Sequence, residues 1–221
     1  MSSGNFKHDL FAQFARLGKA LSNGNRLELL EFIAQAERSV DELAQVAGLS
    51  LANTSQHLRH LKQAGLVTCR KEGLKVYYQL SGNDVLTLLD ALRTSAERHM
   101  AEVKQLVQTY LHSRDDLEPV AHSVLLERAR DGLVTVLDVR PNEEYAAGHV
   151  PGAINVPLKD LESHLQDLDP EHEVVAYCRG PHCILAFEAV AKLRKKGFKA
   201  ARLEDGFPEW KLAGLPVETT H

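Results

Sequence analysis

Two cysteines separated by four residues form the part of the sequence best suited to covalent chemistry. Cys178 ends an apolar run, Glu173–Tyr177, and Cys183 precedes a stretch of helical periodicity. This pattern predicts a buried strand, a tight loop and a helix, in that order. The N-terminus of a helix carries a partial positive charge and unpaired N–H groups, which favour a thiolate over a thiol. We therefore expect the pKa of Cys178 to be lowered and its sulfur to be reactive.

The residues between the cysteines are suited to holding an anionic sulfur. Arg179 adds a cation beside Cys178, and Gly180 lets the backbone curl so that several N–H groups point inward. Pro181 and His182 complete the loop. A ring of N–H groups stabilises a thiolate and equally a terminal persulfide, Cys–S–S⁻. Sulfur held in this way is bound covalently, so we predict no separate cofactor.

Two roles are open for Cys183. It could attack a persulfide on Cys178 and release the sulfur while a disulfide forms, provided that the two Cα atoms lie within about 7 Å. Alternatively, it is a small buried residue at the start of a helix. A cysteine-dependent phosphatase would need an arginine six residues after the cysteine to clamp phosphate. Ile184 stands at that position, so phosphatase activity is not expected.

The segments on both sides of this loop resemble the rhodanese family. The first is Leu137-Asp-Val-Arg-Pro-Asn-Glu-Glu-Tyr-Ala-Ala-Gly-His-Val-Pro-Gly-Ala-Ile-Asn-Val-Pro157, and the second is Glu204-Asp-Gly-Phe-Pro-Glu-Trp-Lys-Leu-Ala-Gly-Leu-Pro-Val217. The resemblance covers about residues 120–218 and implies a domain in which Cys178 carries sulfane sulfur. It also implies structural roles for Asp138, Arg140 and His149. The commonest rhodanese loop has glycine where Pro181 stands, which leaves the sulfur donor and acceptor open.

A polar helix face near the start of the chain is a second candidate site. Helices predicted at about 39–47 and 51–64 are joined by Ala47-Gly-Leu-Ser50, a helix-turn-helix pattern. In the second helix, the spacing predicts that Leu51, Thr54, Leu58 and Leu61 pack inward. The polar residues on or near its outer face, suited to contacting base edges, are Asn53, Ser55, Gln56, Arg59 and His60. The basic side chains suited to phosphate contacts are Arg59, Lys62, Arg70, Lys71 and Lys75. An ordinary helical hairpin with a solvated basic face is the alternative.

This region resembles the ArsR-type winged-helix repressors. The resemblance is carried by Leu51-Ala-Asn-Thr-Ser-Gln-His-Leu-Arg-His-Leu-Lys-Gln-Ala-Gly-Leu-Val67 and by a wing that ends in Val-Tyr-Tyr-Gln-Leu80. It covers about residues 8–112 and implies that Ser55 and Gln56 contact bases. It also implies a homodimer bound to a pseudo-palindromic operator in double-stranded DNA.

A long helix predicted at 83–111 supports dimerisation independently. Its apolar stripe steps by four and three residues through Val85, Leu89, Leu92, Ala96, His99, Val103, Leu106 and Tyr110. That spacing is typical of a two-helix seam. The alternative is that the stripe packs on its own domain, but a helix of this length outreaches so small a core.

We predict no metal site. A known thiolate site of the ArsR family uses a cysteine pair in the third helix, where this chain has Val40–Ala44 without cysteine. A second site of that family would pair His99 and Glu102 with ligands near Leu86 and Leu88, which cannot bind metal. Two ligands hold zinc poorly, because structural sites use four.

The elements that position these residues divide into two domains. A mainly α winged helix-turn-helix with a β-wing is predicted over 1–112, a linker over 113–119, and an α/β rhodanese-like domain with a parallel sheet over 120–221. The further helices of the first domain are expected at about 8–20 and 24–36, and its ribbon at 66–71 and 75–80. Three cysteines are too few for a disulfide framework.

The charge of the chain is uneven. The net charge is −4, with 13 Lys or Arg against 11 Asp or Glu up to His112, and 13 against 19 beyond it. A local basic patch on the first half is enough to contact phosphates. No apolar run approaches the roughly 18 residues that cross a membrane, and the first residues lack a secretory signal. We therefore expect a cytoplasmic protein that does not contact a membrane.

These observations predict a DNA-binding transcriptional regulator, in the form of a repressor, coupled to sulfane-sulfur chemistry at Cys178. One alternative is a rhodanese-type sulfurtransferase that its DNA-binding module only localises. Another is a metal- or thiol-responsive repressor with an inert rhodanese domain.

Overall fold

The computed structural model describes residues 3–113 and 118–220 of the chain. Its internal contacts form two units, Met1–Val85 and Leu86–His221. The division falls inside a helix, whereas the predicted domain bounds of 1–112 and 120–221 flank the polar segment 113–119, which ends in a proline, and stay a prediction. Residues 114–117, most of the predicted linker, lie outside the described residues.

The first unit is a winged helix-turn-helix. Its helices are α1 (Ser3–Leu21), α2 (Gly24–Gln35), α3 (Val40–Val46) and α4 (Leu51–Gln63), and its strands are β1 (Arg38–Ser39), β2 (Val67–Glu72) and β3 (Lys75–Leu80). The strands form an antiparallel sheet in the order β1-β3-β2. The winged fold predicted from the sequence is confirmed, with the short strand β1 as an addition that was not predicted.

Local capping explains why α3 and α4 begin where they do. The backbone N–H of Ser39 donates to Glu42 Oε2 at 2.8 Å, and the N–H of Glu42 donates to Ser39 Oγ at 3.3 Å. This reciprocal pair is a capping box. Gly48 takes a φ of +63° in the turn after α3, a conformation that favours glycine. Ser50 Oγ then accepts the N–H of Asn53 at 3.3 Å and caps α4.

The long helix predicted at 83–111 is interrupted. The structure has α5 (Asn83–His99), α6 (Ala101–Val107) and a π-helical turn over Gln108–His112. Met100 breaks the helix with an extended backbone, φ −105° and ψ 115°. The prediction of one continuous helix was wrong at this residue, because neither proline nor glycine marks the break in the sequence.

The second unit also holds a parallel sheet covered on both faces. Its strands β4 (Val134–Asp138), β5 (Ile154–Asn155), β6 (Glu173–Tyr177) and β7 (Ala200–Arg202) lie in the order β5-β4-β6-β7. Its helices are α7 (His122–Arg130), α8 (Asn142–Ala147), α9 (Ile184–Lys195) and α10 (Phe207–Leu212), with a 3₁₀ segment over Leu161–Asp167. The predicted α/β domain with a parallel sheet is confirmed.

The alternation of side chains along β6 separates two cores. Val174 and Ala176 face a core that includes Val190 of α9, whereas Val175 and Tyr177 face the core on the opposite side of the sheet. Both faces are therefore apolar, as in parallel sheets covered by helices. Among the described residues, no helix is both long enough and apolar enough to cross a membrane.

Candidate functional sites

The two cysteines of the second unit are joined across one loop. Cys178 directly follows β6 and is 1% exposed, and Cys183 is the half-buried residue before α9. Their sulfur atoms form a disulfide, with the Cα atoms 6.1 Å apart. That separation meets the distance requirement for pairing. Residues 178–183, which hold both sulfur atoms, form the sulfur loop.

The backbone of the sulfur loop is held from inside and from α10. The N–H of Cys183 donates to the carbonyl of Gly180 at 3.0 Å, and the N–H of Phe207 donates to the carbonyl of Cys178 at 3.0 Å. A Cβ atom on Gly206 would collide with the backbone of Arg179 and Gly180. Glycine is therefore required where α10 begins, because the two backbones approach so closely there.

Arg179 is anchored by a buried carboxylate. Its Nη2 lies 2.8 Å from Glu144 Oε1, and its Nε lies 3.0 and 3.1 Å from the two oxygens. The Glu144 side chain is fully buried, and that of Arg179 is 14% exposed. The positive charge is thus paired with Glu144, and Arg179 ties the sulfur loop to α8. A catalytic role of Arg179 toward sulfur stays a prediction.

The rhodanese positions predicted as structural are buried and make contacts at the end of β4 and after α8. Asp138 and Arg140 form a fully buried pair at 2.6 Å, and Arg140 also donates to the carbonyl of Gly148 at 2.7 Å. Burial lowers the pKa of Arg140, but its bonds to Asp138 outweigh burial and raise that pKa overall. The His149 ring stacks on Tyr145 with centroids 3.7 Å apart. These contacts fit structural roles for Asp138, Arg140 and His149.

Helix α5 contributes side chains to the sulfur loop that the sequence analysis missed. Glu97 Oε1 lies 3.1 Å from His182 Nε2, and Arg93 Nη2 lies 2.6 Å from Glu209 Oε1 on α10. Arg93 Nη1 would lie 3.3 Å from a Cβ atom on Gly180. The only sequence signal was the spacing of Asp90, Arg93 and Glu97 by three and four residues, beside the apolar stripe.

Burial and charge act on both of these contacts. Burial lowers the pKa of His182, and Arg93 lowers it further, against the opposing effect of Glu97. Burial also lowers the pKa of Arg93, but Glu209 and Asp90 outweigh it and raise that pKa overall. Arg93 is therefore a charged group held beside the loop, and His182 is biased toward its neutral form.

The predicted DNA-contacting residues lie on α4 and the ribbon. Thr54, Leu58 and Leu61 are buried as predicted, but Leu51 is 51% exposed, so its predicted inward packing was wrong. Its position in the first turn of α4 explains the error, because that turn projects beyond the core. The exposed residues are Asn53, Gln56, Arg59, His60, Lys62, Arg70, Lys71 and Lys75, and Ser55 is half-buried.

Two of the predicted phosphate-binding cations already have partners. Arg70 Nη2 lies 2.7 Å from Glu37 Oε2, and Arg70 also pairs with Glu72. Lys62 Nζ donates to Cys69 Sγ at 2.9 Å, and this hydrogen bond raises the pKa of Lys62. Their roles in DNA binding stay predictions.

The far end of α4 borders a basic cavity. His60 lines it together with Arg16, Lys19 and Arg26, around a volume of about 350 Å³. Desolvation lowers the pKa of the neighbouring His57, and the charges of Arg26 and His60 lower it further. In the second unit, His99 is exposed, and no three His, Cys, Asp or Glu side chains of the described residues gather as a metal-ligand set.

Both halves of the chain match known families. Residues 121–213 match the rhodanese-like domain, and residues 21–70 match a helix-turn-helix domain. The HTH-type transcriptional regulator Rv0324 of Mycobacterium tuberculosis is 44% identical over 212 residues, which cover 96% of this chain and 93% of that protein.

Two further relatives match one half each. YtwF of Bacillus subtilis, which its name proposes as a sulfurtransferase, is 27% identical over 96 residues that cover 43% of this chain and 91% of YtwF. The solution structure of the homodimeric winged helix-turn-helix DNA-binding domain of Mb0332 from Mycobacterium bovis is 40% identical. It covers 46% of this chain and 93% of that domain, with a TM-score of 0.43.

Proposed function

Because the chain belongs to the ArsR-type winged helix-turn-helix transcriptional regulators that carry a C-terminal rhodanese domain, we propose that sulfur chemistry at Cys178 controls its binding to operator DNA. The first unit binds the duplex, and the sulfur loop takes up sulfane sulfur. The two states of the loop then differ in the DNA affinity that they permit.

The proposed chemistry begins with the reduced loop. The thiolate of Cys178 attacks the terminal sulfur of a hydropolysulfide. The bond from that sulfur to the rest of the donor breaks, its proton passes to solvent or the leaving group, and Cys178–S–S⁻ forms while the shortened polysulfide leaves as an anion. The thiolate of Cys183 then attacks Cys178 Sγ and the S–S bond of the persulfide breaks, so that a disulfide forms and the outer sulfur takes a proton from water and leaves as HS⁻. The sulfane sulfur is reduced in this second step and the two cysteines are oxidised. A cellular dithiol reverses the oxidation by exchange.

The observation that carries this proposal is the disulfide between Cys178 and Cys183 in a chain whose other half is a DNA-binding module. A small loop that closes covalently has two discrete states, which is what a switch requires. The half-buried Cys183 is the more accessible sulfur of the pair, and reducing thiols reach it first.

We also propose that the regulator binds as a homodimer to a pseudo-palindromic operator. The stripe leaves Leu92 of α5, Leu106 of α6 and Tyr110 of the π-helical turn at 41%, 59% and 57% exposure. Exposed apolar residues that recur along such a stripe are typical of an interface. A second copy of the same stripe would cover them.

The test of the sulfur switch compares cysteine variants in a DNA gel-shift assay before and after polysulfide treatment. The wild-type affinity is expected to change between fivefold and about 150-fold, the usual range of allosteric coupling. Cys178→Ser should bind DNA as the untreated wild type does and show no response. Cys183→Ser should retain a persulfide on Cys178, visible as a mass increase of one sulfur.

Cys69→Ser is the matched control, because Cys69 is the one free cysteine among the described residues. It should respond as the wild type does. A normal response in Cys178→Ser, or loss of the response in Cys69→Ser alone, would contradict the proposal.

A sulfurtransferase is the second candidate function, favoured by the rhodanese-like match and the likeness to YtwF. Multiple-turnover transfer of sulfur to cyanide, without a change in operator affinity, would support this function over the switch.

A further inference from the structure

We propose that helix α5 is the link between the two functions, and that it responds to the state of the sulfur loop through two side-chain bridges, Glu97–His182 and Arg93–Glu209. This inference rests on the proposed sulfur switch and assigns its regulation to named residues. Arg93 and Glu97 are positioning residues in this scheme, because neither contacts the sulfur atoms.

The first bridge contacts the Cys183 end of the sulfur loop. His182 immediately precedes Cys183, and its Nε2 lies 3.1 Å from Glu97 Oε1. The two side chains are 32% and 41% exposed. A pair this exposed contributes little to stability. Its importance is that it contacts the loop directly beside Cys183. With the disulfide closed, the backbone on either side of His182 is fixed, and the imidazole lies within reach of α5.

The second bridge contacts the Cys178 end of the loop through α10. Arg93 Nη2 donates to Glu209 Oε1 at 2.6 Å, and Glu209 Oε2 accepts the N–H of Gly206 at 3.1 Å. The next residue, Phe207, donates its N–H to the carbonyl of Cys178 at 3.0 Å. The side chains of Arg93 and Glu209 are 26% and 15% exposed. Three hydrogen bonds, joined by the backbone between Gly206 and Phe207, therefore connect α5 to Cys178.

The two loop states must interact differently with these bridges. The disulfide holds the Cα atoms of Cys178 and Cys183 6.1 Å apart, and its opening releases that constraint on His182. A persulfide on Cys178 adds one sulfur and a negative charge at a nearly fully buried position. Arg93 is the cation beside Gly180, so this charge competes with Glu209 for its guanidinium. A differential interaction of this kind is what coupling requires.

Helix α5 is placed to pass such a change along the chain. It begins at Asn83, shortly after β3 of the DNA-binding ribbon ends at Leu80. It then continues without a break to His99, through the residues that bear both bridges. Arg93 and Glu97 also directly follow Leu92 and Ala96 of the proposed dimer stripe. A rotation of α5 about its axis would thus act on the ribbon and on the dimer together.

The variants that test this inference each remove one bridge and leave the cysteines intact. They are Arg93→Ala and Glu97→Ala, which leave no side-chain donor or acceptor at either position. Arg98→Ala and Glu102→Ala are the matched controls, because Arg98 and Glu102 are exposed residues of the same types on α5 and α6. For each protein, operator affinity is measured with the loop reduced and with the disulfide formed, and the ratio of the two is the coupling factor.

We expect the bridge variants to reduce the coupling factor at least fivefold, whereas the controls keep the wild-type value. Disulfide formation, measured as the mass loss of two hydrogens, should occur in all of them. Because linkage is reciprocal, operator DNA should shift the thiol–disulfide equilibrium of the wild type by the coupling factor. Arg93→Glu combined with Glu209→Arg should restore part of the coupling, which distinguishes a bridge from a general packing role.

Hydrogen exchange of the α5 amides separates this inference from the proposed function. The amides of residues 90–99 should change protection between the reduced and disulfide states in the wild type and not in the bridge variants. If operator affinity changes while these amides do not, the switch stands and α5 is not its link. If the bridge variants keep the full coupling factor, the inference is likewise overturned.

Discussion

At the scale of the residue, the proposed chemistry depends on how closely the second unit surrounds the sulfur of Cys178. Cys178 is nearly fully buried, its carbonyl is held by Phe207, and its neighbour Arg179 is held by Glu144. These contacts hold the backbone of the sulfur loop in place. In the proposed chemistry, preorganisation of this kind would keep the reacting sulfur in one geometry at little further entropic cost.

Gly206→Ala should disrupt this preorganisation. The added methyl group would collide with the backbone of Arg179 and Gly180, so α10 or the sulfur loop must move. We expect the free energy of unfolding of the rhodanese half to fall by about 1–3 kcal/mol, as in other overpacked sites, and persulfide loading of Cys178 to fall at least tenfold. The fluorescence of Trp210, the single and fully buried tryptophan, reports the unfolding.

The control for this variant is Gly18→Ala. Gly18 lies inside α1, where an added Cβ would meet nothing within 4 Å. The Trp210 transition and sulfur loading should then match the wild type. A wild-type transition and loading in Gly206→Ala would show that the close approach of the two backbones does not constrain the loop.

The residues of the sulfur site divide into those that a sequence pattern can identify and those that it cannot. Cys178 and Cys183 were identifiable because a strand, a loop and a helix N-terminus each leave a local signal. The partner of Arg179, Glu144, was not, because it lies 35 positions away and its side of α8 depends on packing. Arg93 and Glu97 were missed for the same reason. Their spacing indicates a polar helix face but does not indicate what that face contacts.

At the scale of the element, the helices that follow the ribbon have two neighbouring faces with different roles. One face carries the apolar stripe of the proposed dimer, and the other carries Arg93 and Glu97, which contact Glu209 of α10 and His182 of the sulfur loop. The break at Met100 divides the stripe between α5 and α6. Sequence periodicity predicted the stripe but not the break, since no residue at 98–102 disfavours a helix strongly.

Leu106→Asp should test whether the stripe continues into α6 as an interface. Leu106 is 59% exposed, and a buried leucine contributes about 1.5–3 kcal/mol. A charge in its place, present in both copies, should raise the dimer dissociation constant at least tenfold in sedimentation measurements. Operator affinity should fall with it, because each half-site would be bound independently.

Leu133→Asp is the control for the dimer, because Leu133 is exposed to nearly the same extent, 58%, and lies outside the stripe. It should remain dimeric. If Leu106→Asp sediments as the wild type does, α6 is not part of the interface, and the stripe on α5 alone would have to hold the dimer.

At the scale of the whole molecule, charge is divided unevenly between the winged helix-turn-helix half and the rhodanese half. The chain beyond His112 has 13 basic against 19 acidic residues, and the chain before it has 13 against 11. An acidic rhodanese half is not attracted to the phosphate backbone, so the attraction to DNA is expected from the lysines and arginines before His112, including those exposed on α4 and the ribbon. Composition predicted this division of charge, but it could not show which lysines and arginines of α4 and the ribbon are already in ion pairs or hydrogen bonds.

The salt dependence of DNA binding distinguishes the exposed lysines of the ribbon from the arginine that is already in ion pairs. Each lysine or arginine that contacts a phosphate contributes about one unit to the slope of log affinity against log salt concentration. Lys71 and Lys75 are exposed on the ribbon, so Lys71→Gln and Lys75→Gln should each reduce the slope by about one. Arg70 is bound to Glu37 and Glu72, so Arg70→Gln should change the slope by clearly less. Lys196→Gln, an exposed lysine of the rhodanese half, should leave it unchanged. An equal loss in Arg70→Gln and Lys71→Gln would mean that DNA displaces both carboxylates from Arg70, and that its ion pairs hold the wing only in the unbound protein.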